Sequence, residues 1–126
     1  MKRTPIHTDK APAAIGPYSQ AIATDSLLFT SGMIPIDPQT GKIPEGSIED
    51  HAHLVFRNLC ALAEAGGTSL ANAVKVTVFL TDLANFQRVN AVYAQYFSEP
   101  FPARSAVQVV ALPLGAALEV EAIIAL

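Results

Sequence analysis

Apolar and polar positions change rhythm along the chain, and each rhythm predicts an element. From Ala73 to Leu80 (AVKVTVFL) the alternation is strict, with Val74, Val76, Val78 and Leu80 on one side and Lys75, Thr77 and Phe79 on the other. That period of two is a strand. Ile48, Ala52, Val55, Phe56, Leu59, Leu62 and Ala63 recur instead at helical spacing, so a helix with one buried face is expected. Ser47 opens it, with Asp50 three residues on in a capping-box arrangement, and Gly66-Gly67 closes it. A second helix is predicted behind Asp82 as N-cap, with the aromatic-rich stripe Phe86, Val89, Tyr93, Tyr96 and Phe97, stopped by Pro100 and Pro102. Such a stripe is more often core than cofactor box.

Four further strands are predicted. Tyr18–Thr24 and Leu27–Ser31 flank a hairpin turn at Asp25-Ser26, and Ala103–Val110 and Leu118–Leu126 end the chain. The breaker-rich IPIDPQTGKIPEG is a loop. The order β-β-α-β-α-β-β, with a further short strand near the N-terminus, gives one α/β (α+β) domain over residues 1–126. Its architecture is a two-layer sandwich, a mixed sheet with two helices on one face.

Composition changes this picture in one respect. Of 126 residues, 51% are apolar and only 15% charged, where about 25% is usual. The uncovered sheet face therefore needs a partner, and a homo-oligomer is the expectation. Eight Lys and Arg are scattered through a chain of net charge −3, which argues against nucleic acid as the main partner. The single Cys60 excludes an internal disulfide and a Cys-based zinc site, and reads as a small core residue. His51 and His53 sit about 200° apart on a helix and cannot grip one metal, so they read as solvated side chains. MKRTPIHTDK has no apolar run behind its basic residues, and no stretch is long enough to span a bilayer. A cytoplasmic protein without a membrane partner is expected.

The apolar closing stretch FPARSAVQVVALPLGAALEVEAIIAL holds three charges, Arg104, Glu119 and Glu121. On strands, Arg104, Ala106, Gln108 and Val110 share one face, and Glu119, Glu121, Ile123 and Ala125 share one. The short loop between the strands would let them pair or lie close, with Arg104 facing a carboxylate. Two readings stand side by side: a structural ion pair, or an anion anchor whose planar fork binds a substrate carboxylate while a Glu holds water or moves a proton.

Several motifs, in order, resemble the Rid (YjgF) family and its RidA type: APAAIGPYSQAI, LFTSGMIPIDPQTG, VKVTVFLTDL with VNAVYAQYF, and PARSAVQVVALP before LEVEAI. The resemblance implies a chorismate-mutase-like homotrimer with sites in the clefts between subunits and no cofactor or metal. It also implies hydrolysis of 2-iminobutanoate and 2-iminopropanoate to 2-ketoacids and ammonia. Such imines arise from enamines released by pyridoxal-phosphate dehydratases. On this resemblance Arg104 matches the carboxylate-binding arginine and Glu119 the glutamate that holds the attacking water. Tyr18, Ser31 and Gly32 match pocket-lining positions, and Asn90 a polar residue near the site. Glu121 is read as structural. Two positions depart from the family pattern: Ala106 stands where many members have Cys, and Met33 where many have Gln. Ala106 then offers only its backbone carbonyl, and the pocket wall becomes more apolar. The resemblance also admits a trimeric ketoacid-binding regulator without turnover and, against the charge balance, a ribonuclease or translation inhibitor.

Overall fold

The computed structural model describes residues 1–126. Six strands, β1 (Thr4–Ile6), β2 (Ala21–Ala23), β3 (Leu27–Thr30), β4 (Ala73–Leu80), β5 (Ala103–Gln108) and β6 (Leu118–Ala125), form one sheet in the order β1-β2-β3-β6-β4-β5. Only β4 and β5 run parallel. Parallel neighbours need a crossover, and helix α2 (Phe86–Tyr93) supplies it, while α1 (Ile48–Ala65) carries the chain from β3 to β4. The mixed sheet, the two helices and the short first strand all follow the sequence expectation.

Local chemistry sets the helix ends. Ser47 Oγ accepts from the Asp50 N–H and Asp50 Oδ2 accepts from the Ser47 N–H, both at 3.1 Å, which completes the capping box. The chain leaves α1 through Gly66 and then Gly67, whose φ of +83° suits glycine. The core lies between α1 and the sheet, where Val55, Phe56, Leu59 and Leu62 meet Val76, Leu80, Val120 and Ile124, all fully buried. Burial of each such side chain stabilises the fold by about 1.5–3 kcal/mol. The opposite sheet face carries Lys75, Phe79, Glu119, Glu121 and Ile123, and no second layer of this chain covers it. No helix is long and apolar enough to cross a membrane.

Four expectations need correction. First, β5 and β6 are not neighbours, because β4 lies between them. Second, Val74 does not join Val76, Val78 and Leu80: a bulge between Ala73 and Lys75 leaves Val74 exposed and buries Ala73 in its place. Third, the second helix is shorter than its stripe. Asp82 caps a 3-10 turn (Leu83–Asn85) by accepting from the Ala84 N–H, and Tyr96 and Phe97 lie beyond α2, packed on Phe56. Fourth, neither helix histidine is merely solvated. His51 Nε2 lies 2.7 Å from the Pro44 carbonyl, and His53 Nδ1 lies 2.9 Å from the Tyr96 hydroxyl.

Candidate functional site

The ladder between β3 and β6 breaks where the predicted pocket residues sit. Phe29 pairs with Ile123 and Met33 with Val120, so three residues, Thr30 to Gly32, oppose two, Glu121 and Ala122. Such a bulge re-aims side chains. Here it brings Gly32 beneath Glu119. A Cβ built on Gly32 would lie 2.6 Å from Glu119 Oε2 and 2.7 Å from its Cδ, so only glycine leaves that carboxylate its place. Gly32→Ala should therefore cost little stability, since a side-chain end can swing away. Activity should still fall roughly 10²-fold from the misplacement, which steady-state kinetics beside a melting curve would check.

Glu119 stands at a cavity of about 610 Å³ that Tyr18, Gln20, Ser31, Met33 and Leu114 also line. Burial first, and then the charge of Glu121 on the same sheet face, push the Glu119 carboxyl above its ordinary range. The other polar groups there are largely engaged. Ser31 Oγ donates to the Ser19 carbonyl at 2.6 Å. Gln20 is buried; its Oε1 accepts from the Thr8 N–H at 2.9 Å, and its Nε2 donates to the carbonyls of Thr8, Ala11 and Pro12 at 3.0, 3.3 and 2.8 Å. That amide fixes the segment after β1 as a cavity wall. Tyr18 is half exposed, its hydroxyl 3.5 Å from the Ile15 N–H.

Arg104 belongs to a second cluster. It lies opposite Val76 in the β4–β5 ladder, on the helix-facing side, with Ala106 opposite Val78 beside it. Its Nη1 donates to Asn90 Oδ1 at 2.7 Å. The guanidinium lies over the rings of Tyr93 and Phe86, 4.6 and 5.2 Å from their centroids. Stacked rings and one hydrogen bond orient the fork at little electrostatic cost, and the side chain stays exposed at the sheet edge.

The chain thus groups Tyr18, Ser31, Gly32 and Glu119 in one place and Asn90, Arg104 and Ala106 in another. Glu119 pairs with Phe79 on the open face of the sheet, so the arginine and the glutamate stand on opposite faces. The structural ion pair expected between Arg104 and a carboxylate of its own chain is not formed; the chain's Arg–carboxylate bridge is Arg88–Glu49. Cys60 is half-buried in α1, away from both clusters, and burial raises its thiol pKa, as suits a packing role. The sequence reading missed Gln20, Phe86, Tyr93 and Leu114. Phe86 and Tyr93 lay inside a stripe that reads as core, and Tyr93 is indeed buried as well as stacked.

Comparison with known proteins adds to the geometry. A family model described as Endoribonuclease L-PSP matches residues 8–126. The human 2-iminobutanoate/2-iminopropanoate deaminase is 45% identical over 121 residues, covering 96% of this chain and 88% of that protein. A solved Thermotoga maritima structure superposes with a TM-score of 0.96 at 52% identity, covering 100% of this chain and 98% of the other. Escherichia coli TdcF, solved with bound serine, gives a TM-score of 0.92 at 44% identity over 98% of each chain.

Proposed function

This chain belongs to the endoribonuclease L-PSP family, also called YjgF or Rid, and on that premise we propose that it hydrolyses 2-imino acids such as 2-iminobutanoate and 2-iminopropanoate to 2-ketoacids and ammonia. The observation that carries the reading is a half-buried carboxylate, Glu119, that no cation of the chain pairs with, in the wall of a largely apolar cavity. It is joined by an oriented guanidinium that no carboxylate of the chain neutralises. The human deaminase and serine-bound TdcF are the relatives that support a small-acid substrate.

In this account the substrate carboxylate docks on Arg104, and the gain is chiefly orientation of the C=N carbon toward a water. Glu119 as an anion accepts a hydrogen bond from that water and favours the protonated, more electrophilic iminium. Water adds to carbon and gives a carbinolamine. A proton passes to nitrogen, the C–N bond breaks, ammonia leaves and the ketone remains. Arg104 supplies binding and Glu119 the proton transfer.

Arg104 and Glu119 stand on opposite sheet faces of one chain, so the proposed site lies between copies. Arg104 comes from one copy and Glu119 from its neighbour, in a trimer closed through the open sheet faces. The low overall charge and a sheet face that the chain itself leaves uncovered support this arrangement. Acceleration of 2-iminobutanoate loss in a threonine dehydratase assay with semicarbazide trapping tests the reading; binding of ketoacids without acceleration would assign a sensor instead. The family description also names RNA cleavage, but a net charge of −3 with scattered cations offers no phosphate track.

A further inference from the structure

The turn from Pro113 to Ala116 is closed by the Ala116 N–H donating to the Pro113 carbonyl at 3.1 Å. Its central residues, Leu114 (φ 57°, ψ 23°) and Gly115 (φ 70°), are both left-handed. Such turns favour Gly, Asn or Asp, because a larger side chain crowds the backbone there. Leu114 is the one non-glycine residue of the chain with positive φ. An outlier of this kind points to a function when the strained side chain sits at a site. Leu114 does: it lines the Glu119 cavity while remaining 67% exposed. Ile15, 86% exposed, lines it too. Two large apolar side chains thus stand on the rim of one cavity, uncovered by their own chain. Inside it, the Gln20 amide and the Ser31 hydroxyl are already bonded to main chain.

We infer that Leu114 and Ile15 select substrate by its side chain, favouring 2-imino acids with branched or extended apolar side chains over those with methyl or ethyl groups. The inference rests on the hydrolase reading above and names its substrate class. In one chain, before a neighbour closes on it, the void measures about 610 Å³, and its own wall leaves room for a side chain beyond ethyl. Dehydration of serine or threonine yields only the methyl and ethyl imines. The extended ones require removal of a hydride from Cα and a proton from nitrogen, so a flavin- or nicotinamide-dependent amino-acid oxidase or dehydrogenase is the class of enzyme that supplies them. Water then adds to the C=N carbon, nitrogen leaves as ammonia, and the side chain passes unchanged into the ketoacid.

The test compares the imines of leucine and alanine, generated by an amino-acid oxidase and trapped with semicarbazide. The wild-type ratio of kcat/KM, leucine imine over alanine imine, should be at least about tenfold, as extra methylenes in an apolar pocket allow. Leu114→Asn suits the left-handed turn, so its melting temperature should not fall, while the ratio should drop at least about tenfold. Ile15→Ser, at a nearly free residue, should lower the same ratio and covers the case in which Leu114→Asn fails to fold. A wild-type ratio near one, or a ratio that folded variants leave unchanged, overturns the inference and leaves the hydrolase reading intact. If neither imine is turned over, that reading fails, and calorimetry with 4-methyl-2-oxopentanoate against 2-oxopropanoate decides the selector. Tighter binding of the longer acid, abolished by Leu114→Asn, supports it; equal binding rejects it.

Discussion

Arg104→Ala should lower kcat/KM for 2-iminobutanoate by about a hundred-fold or more while leaving the fold intact. The magnitude follows from two charge-assisted hydrogen bonds to a carboxylate, each about 1.5–3 kcal/mol. The side chain is exposed, and its contacts are one hydrogen bond to Asn90 and two ring faces, so little of the core depends on it. Arg104→Lys should recover only part of the loss, because an ammonium keeps the charge but not the planar fork. A melting temperature close to wild type beside the lost activity is the expected pair of readings. Unchanged acceleration by Arg104→Ala would remove the anchor from the account.

Glu119→Gln should lower the rate by about 10²–10⁴-fold and raise stability. Both signs follow from one observation. Burial and the neighbouring Glu121 raise the Glu119 pKa in the folded protein above its unfolded value. The folded state then binds the proton more tightly, so the stability this group contributes is full below the unfolded pKa and is lost as pH rises through the folded one. A neutral amide escapes that penalty at neutral pH. Activity runs the other way: the water-holding group must be an anion, so kcat/KM should rise with pH to a plateau, with a midpoint above the ordinary glutamate range. Glu121→Gln should move that midpoint down by removing the like charge. A midpoint that Glu121→Gln leaves in place would assign the acid limb to another group.

Much of this was legible in the sequence, for identifiable reasons. The capping box at Ser47 and the alternation of β4 depend on residues a few positions apart, and local pattern carries them. Val74 defeated the alternation because a bulge shifts phase without any marker residue. The short connection between the last two strands allows a hairpin, and nothing local reveals that β4 slots between them. Arg104 and Glu119 stood out as charges in apolar surroundings. Their setting did not: the ring platform of Phe86 and Tyr93 comes from a helix whose aromatic stripe serves both core and arginine. The crowding of Gly32 by Glu119 joins residues 87 positions apart (119 − 32) through a bulge that no local pattern records. The left-handed Leu114 carried only a weak sign, a leucine between proline and glycine.

The central claim is that one copy's arginine works with its neighbour's glutamate. Mixing Arg104→Ala with Glu119→Gln under subunit exchange tests it most directly, since each variant alone should keep about a hundredth of the activity or less. In a randomly mixed ring, a site that takes Arg104 from one variant and Glu119 from the other is whole, and about a quarter of sites should be so. Recovery of imine hydrolysis toward that fraction, far above either variant alone, is the expected result. A mixture that exchanges subunits, as native mass spectrometry would show, yet stays as inactive as its parts would contradict a shared site.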